Sequence, residues 1–475
     1  MSKNKYNTLM SNTLLISMGT FGSKILVFLM VRFYTGYLTP SDYSTADLIT
    51  QTANLLFPLI SVGIADGVFR FVMDENSDKK SVFTLGFMCI TAGALAFFVI
   101  APLLGLVADF KGYVWLIVIY TLAACYHSLC VSYLRGVGKT GLFALQGILN
   151  TALVIAFNIV FLAFLEMGIT GYVLSVVLAD TLSTAFLVVR EKLWNAFTPH
   201  PKKGLLKPML KYSIPLVPTT VFWWITSVSD RYMVNEIIGS EANGLYAVSY
   251  KLPTILTLVS TMFMQAWQYS AVVEDKGDKS EHAKFFETVW KSFQAVMFLC
   301  GAGIIAFTKP MMKILTASEF YGAWKYVPLL AIAMVFTAFT SFMGTVYTLN
   351  KNSMMSFLTA FIGAGSNIAL NLLLIPRIGV QGAAIATVAS YMLVFVVRCV
   401  SVKRYITFNI QSVYVILNTV ILFLGSAALI YGWKYQILIE LGCLAVMIIL
   451  NFKFLWGFAR KILKTVLRKT NKGNS

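Results

Sequence analysis

Residues 83–107 read FTLGFMCITAGALAFFVIAPLLGLV, a run without one charged side chain. A helix needs about 20 apolar residues to cross the hydrocarbon of a bilayer, and this run is long enough to do so. The same texture recurs on both sides of it. Helices are expected near 11–33, 44–65, 83–107, 113–134, 143–165, 170–189, 212–234, 244–268, 286–307, 325–349, 355–375, 380–400, 411–431 and 435–456. The expected fold is therefore all-α and polytopic, with about fourteen transmembrane helices. Composition agrees: of 475 residues, 58% are hydrophobic and 12% charged, and mean hydropathy is +0.76, where soluble chains carry about 25% charged residues. The first run is too long for the apolar core of a signal peptide, lacks a small-residue cleavage site and is followed at once by more spans, so it reads as a retained helix.

The net charge of +18 does not point to nucleic acid, because Lys and Arg sit in short inter-helix loops and the C-terminal tail rather than on one soluble face. With a cytoplasmic N-terminus, alternate loops carry Lys79/Lys80, Arg135/Lys139, the cluster from Arg190 to Lys211, Lys276/Lys279/Lys284, Lys351, Lys403/Arg404 and the tail. Roughly 27 basic residues then lie inside against about 6 outside, the asymmetry of the positive-inside rule. Both termini are expected in the cytoplasm, with the tail from Arg460 to Lys472 resting on anionic headgroups. The six cysteines all fall in apolar runs without metal-site or disulfide spacing. No cofactor or metal is expected.

The chain also repeats itself. Asn158, then Gly168-Ile-Thr-Gly171, then a helix closing at Arg190 is echoed by Asn371, then Gly379-Val-Gln-Gly382, then a helix closing at Arg398. The expected organisation is an N-lobe over 1–190, a cytoplasmic linker over 191–211 holding Pro199, Pro201, Gly204 and Pro208, a C-lobe over 212–400, and two further helices with a basic tail over 401–475. Parallel six-helix repeats are a transporter architecture, with the substrate site between the lobes near the midplane.

Several stretches carry a family likeness: Asp230-Arg231-Tyr232, Gly244-Leu-Tyr-Ala-Val-Ser-Tyr-Lys251-Leu-Pro253, Gln265-Ala-Trp267, Asn371 to Pro376, and Gly379-Val-Gln-Gly-Ala-Ala384. The N-terminal half adds Arg32, Pro40-Ser-Asp-Tyr43 and the stretch from Gly63 to Arg70. Over 10–400 the chain resembles the polysaccharide (O-antigen unit) flippases of the multidrug/oligosaccharidyl-lipid/polysaccharide exporter superfamily. That resemblance implies two six-helix lobes forming a V, two extra C-terminal helices, and alternating access for an undecaprenyl-diphosphate-linked oligosaccharide. It implies a bacterial plasma membrane, membrane lipids as surroundings, and glycosyltransferases and a polymerase of the same pathway as partners. It supplies no catalytic motif, so the chain is expected to be a transporter and not an enzyme.

A diphosphate-sugar headgroup cannot enter hydrocarbon without a polar path, and ionisable residues inside spans are the first place to look for one. Lys24, Arg231 and Lys251 are expected to attract the diphosphate, with Asp180, Asp230, Asn158, Asn371 and Trp267 as further substrate-binding candidates. The bland alternative is internal pairing, Lys24 with Asp180 and Asp230 with Lys251, which would hold a lobe together. Asp66 and Arg70 form a candidate cytoplasmic gate, or a solvated helix end. His127 could relay protons, though a hydrogen-bonded structural histidine explains it as well.

Gly136-Val-Gly-Lys139-Thr140 imitates a phosphate loop, but the motif needs Gly where Tyr133 stands. Competing readings are a lipid II flippase of the same superfamily, a multidrug cation antiporter, whose family normally stops at twelve helices, and a membrane polysaccharide polymerase. The last would want a large external loop, and 308–324 offers only Lys309, Lys313 and Glu319.

Overall fold

The computed structural model describes residues 26, 28–74, 76–274, 279–350 and 352–473, with side chains described outside 265–282 and 455–473. Secondary structure among them is helical. In chain order the α-helices are α1 (28–37), α2 (Pro40–Ile60), α3 (Ile64–Val72), α4 (Lys79–Ile100), α5 (Val114–Gly136), α6 (Thr140–Asn158), α7 (Gly168–Arg190), α8 (Leu206–Ser213), α9 (Leu216–Ile237), α10 (Ser240–Ser249), α11 (Thr254–Glu274), α12 (Lys279–Ala306), α13 (Thr308–Leu315), α14 (Val327–Leu349), α15 (Ser353–Ile378), α16 (Val380–Val402), α17 (Ser412–Ile430) and α18 (Gln436–Gly473).

Ten described helices are long and apolar enough to cross a membrane, or twelve if each of two bent pairs is one span. The span expected over 44–65 is one such pair, α2 and α3, bent by 55°. It starts earlier than expected because Pro40 at the first helical position and a reciprocal Thr39–Asp42 capping box close the exposed N-terminal amides. It breaks where Val62 and Gly63 take φ of 52° and 63°. Helix α4 runs close beneath this break, since a Cβ on Gly93 would lie 2.0 Å from the Ile60 carbonyl oxygen. The span expected over 244–268 is α10 with the first part of α11, bent by 41°. Helix α9, 22 residues long, is not among these spans because Asp230, Arg231 and Glu236 interrupt it, alongside Ser, Thr and Trp residues. The expected linker, 191–211, contains short 3₁₀ turns and the start of α8.

The chain divides into two compact units, 1–247 with 315–320, and 248–314 with 321–475. In the first, α2 packs on α5, α7 and α9, and α6 on α7. Its apolar contacts centre on Ile64, Val68, Phe83, Ile90, Phe97 and Leu129. In the second, α14 and α15 pack on α16, while α12 packs on α14, α17 and α18. Trp290 of α12 lies there fully buried.

Candidate functional site

Helix α2 presents Ser44, Asp47, Gln51 and Thr52. In a helix such spacing (i, i+3, i+7, i+8) gathers side chains on one face, and here that face meets α9. Arg231 Nη1 donates to Asp47 Oδ2 at 2.7 Å and to Oδ1 at 2.9 Å. The side chains are only 9% and 5% exposed. A pair this dry attracts strongly, but it also carries a desolvation cost that an apolar replacement would not.

The pair sits within a wider lacing. Asp230, fully buried, accepts from the Tyr246 hydroxyl at 2.7 Å and from the Arg231 backbone N–H at 2.9 Å. Asn243 Nδ2 donates to Ser44 Oγ at 2.8 Å, Ser44 to Asn235 Oδ1 at 3.1 Å, and Asn235 Nδ2 to Asp109 Oδ2 at 2.6 Å. This chain runs from α10 through α2 and α9 to the turn before α5. The Thr52 and Tyr232 hydroxyls meet at 2.7 Å, Trp224 Nε1 donates to the Gln51 carbonyl at 3.1 Å, and the Ser41 and Ser240 hydroxyls meet at 2.7 Å. Closeness is enforced at Gly244, where a Cβ would lie 1.8 Å from the Pro40 carbonyl oxygen. From α1, Arg32 Nη1 donates to the Thr316 carbonyl, and Thr35 Oγ1 accepts from the Ala317 N–H at 3.0 Å.

Among the residues expected from sequence, Arg231 and Asp230 thus meet in one network. Lys24 lies outside the described residues, as does the side chain of Trp267. Lys251 lies in the turn between α10 and α11, is partly buried, and donates its N–H to Val248 O at 2.9 Å. Asp180 joins a separate cluster with Asn150 and His127. Asn158 is buried and donates to Val154 O at 2.8 Å. Asn371 is buried and donates to Asn367 Oδ1 at 2.9 Å, one helical turn away. Asp66 and Arg70 are exposed on α3, with Arg135 within electrostatic reach of Asp66.

Sequence reasoning missed Asp47, Asn235, Asn243 and Asp109. The signal available was the polar stripe of α2 and a lone acid, Asp47, inside an expected span. Among the described residues, no group of three or more His, Cys, Asp or Glu side chains could hold a metal.

A family described as polysaccharide biosynthesis protein matches residues 9–268. Among solved structures, the fold is similar to that of "Lipid II flippase MurJ, inward closed conformation", with TM-score 0.68, 16% identity, and coverage of 95% of this chain and 100% of that one. It is also similar to an outward-facing multidrug resistance MATE family transporter of the MOP superfamily, with TM-score 0.59, 14% identity, and coverage of 82% and 93%. An inward-facing multidrug resistance MATE family transporter of the same superfamily gives TM-score 0.62, 12% identity, and coverage of 82% and 98%. A search of curated proteins finds no match.

Proposed function

This chain belongs to the polysaccharide biosynthesis protein family, and from that premise we propose that it is a flippase carrying an undecaprenyl-diphosphate-linked oligosaccharide from the cytoplasmic to the outer leaflet by alternating access. It is a multi-pass membrane protein; the bacterial plasma membrane, cytoplasmic termini, and supply and removal of substrate by glycosyltransferases and a polymerase belong to the proposal.

The observation that carries this reading is the buried Asp47–Arg231 pair. It joins α2 to α9, helices drawn from the two expected repeats, 1–190 and 212–400. With the N-terminus inside, the start of α2, the end of α9, the α9–α10 turn and Asp109 all face outward. The lacing is then an outer latch, closed here. Opening it admits water, and a hydrated ion pair keeps little of its attraction, so the closed and open forms need not differ greatly in free energy. Lys24 and Lys251 draw in the diphosphate, and Arg231 becomes available to it as Asp47 lets go, offering a planar donor fork suited to phosphate. Asp180, Asn158, Asn371 and Trp267 stay in the proposal as polar or stacking contacts, and Asp66 with Arg70 as an inner gate. An anion leaving a negative-inside cell moves with the field, gaining roughly 2.3 kcal/mol per charge per 100 mV.

The test is reconstitution in liposomes with a fluorescent undecaprenyl-diphosphate oligosaccharide, scoring its appearance on the opposite leaflet for wild type, Arg231→Ala and Lys251→Ala. Transport by wild type and its loss in folded variants supports the reading. No transport of several lipid-linked sugars by wild type overturns it. Lipid II is the second substrate to try, because similarity to the lipid II flippase structure extends over 95% of this chain, against 82% for the outward-facing multidrug transporter.

A further inference from the structure

Among the described residues of the first unit, the outer latch leaves an intramembrane charge cluster unused. His127 lies in α5 and Asp180 in α7, with His127 Nδ1 3.5 Å from Asp180 Oδ1. From α6, Asn150 Nδ2 donates to the same Asp180 oxygen at 2.7 Å, and the Gln146 amide contacts His127 Nε2. All four residues lie within helices long and apolar enough to span the bilayer.

We propose that His127 and Asp180 form a binding site for one exchangeable proton, and that its occupancy is coupled to transport. The coupling half rests on the flippase reading; the proton site does not.

Three features carry the inference. The first is charge. With neutral imidazole, Nδ1–H faces the Asp180 carboxylate and the cluster carries one net negative charge. A proton taken up on the Nε2 lone pair makes an imidazolium beside a carboxylate, and the net charge becomes zero. Burying a lone charge in a span costs far more than burying a neutral pair, so proton uptake changes how well α5, α6 and α7 tolerate being packed together.

The second feature is that both states can be satisfied. A primary amide has a donor end and an acceptor end. The Gln146 NH₂ serves the bare Nε2, and its oxygen, after rotation, serves Nε2–H. The third is access. The His127 and Asp180 side chains keep 18% and 15% exposure, against 9% and 5% for the sealed Arg231–Asp47 pair. A hard alkali cation is a poorer occupant, because such ions want a cage of oxygens and Asp180 Oδ1 already faces two nitrogens.

The surroundings leave the pair in control of its own titration. Helix α6 contains no titratable residue from Thr140 to Asn158. On α5, Tyr120 is within electrostatic reach of Asp180, and Tyr126 is tied to Thr91 at 3.1 Å. On α2, Asp47 is neutralised by Arg231. On α3, Asp66 is within electrostatic reach of Arg135, and α4 contributes Cys89, partly buried against the same core. On α7 itself, Tyr172 stacks edge-on against Tyr34, and Arg190 closes the helix beside the Phe186 ring.

The chain has only three histidines, His127, His200 and His282, so imidazole NMR of histidine-labelled protein in nanodiscs can follow each, with His127→Gln giving the assignment. The expected result is a one-proton transition of His127 between about pH 5 and pH 8, the ordinary imidazole range, that changes in Asp180→Asn and ignores added sodium at constant pH. A His127 signal constant over that range, unaltered by Asp180→Asn, or displaced by sodium overturns the site. In liposomes, an imposed pH gradient should change the wild-type flipping rate several-fold, and in His127→Gln the ratio of rates with and without the gradient should fall to one. An unchanged ratio overturns the coupling. If wild type flips nothing, the flippase reading fails while the NMR titration still decides the proton site.

Discussion

In the second unit, Trp290 of α12 sits with its ring 5.0 Å from Phe339, 5.3 Å from Phe342 and 5.9 Å from Phe395, and its Nε1 donates to the Ile410 carbonyl at 2.7 Å. In the first unit, α2 meets α9 through Asp47, Arg231, Thr52 and Tyr232. The aromatic centre holds by many short-range contacts whose strength does not depend on dryness at any one point. The polar lacing holds through a few directional bonds that are strong only while water is kept out. A helix set that must stay together is better served by the former; the latter suits α2 and α9 if they part and rejoin as the proposed mechanism requires. Polar groups left partnerless would otherwise be costly in a membrane, so the lacing also selects one register between α2 and α9.

The comparison breaks first if Trp290 can be truncated freely. Trp290→Ala should cost about 3–5 kcal/mol of packing, read as a large loss of heat stability in purified protein. A variant melting with wild type would mean the aromatic centre does not hold the second unit. Next comes Asp47→Ala, which strands a buried guanidinium and should cost about 3–5 kcal/mol. The double variant Asp47→Ala/Arg231→Met should recover most of that heat stability while still failing to flip. A double variant no better than the single one would dissolve the pair as the unit of interaction.

How much of this was visible beforehand follows from the range of each interaction. The membrane class, the helical order and the likeness to polysaccharide flippases all rest on local runs and short motifs, and the structure and the family match agree with them. Arg231 and Asp230 stood out as charges in a span, but Asp47 did not, because its partner lies 184 positions away and its neighbours Ser44, Thr45 and Thr50 read as an ordinary polar helix start. The break after Ile60 was hidden for a different reason. Val62, a β-branched residue, takes positive φ, and nothing in a Val-Gly pair within an apolar run announces that. Tyr246 as a partner for Asp230 was equally silent, since a tyrosine on a short bent helix reads as an interface aromatic.

Smaller effects sharpen the comparison at its edges. Gly244→Ala should push α10 off α2 by forcing a Cβ against Pro40, costing about 1–3 kcal/mol. It should also lower disulfide formation in a Ser41→Cys/Ser240→Cys background, where the parent hydroxyls meet at 2.7 Å; undiminished cross-linking would mean that α10 does not need that close approach. Smallest of all is the cap of α4, at the edge of the membrane. Asp78 accepts from the Ser81 N–H at 3.3 Å and the Ser81 hydroxyl at 2.9 Å. These bonds, with Lys202 nearby, hold its carboxyl below the ordinary value of 3.8. A carboxyl whose folded value is depressed adds stability that is fully present above its unfolded value and is lost as pH falls through the folded one. Asp78→Asn should therefore lower heat stability slightly at neutral pH, and the gap from wild type should close as pH drops below 3.8. A gap constant with pH would place the contribution of Asp78 in packing rather than in its charge.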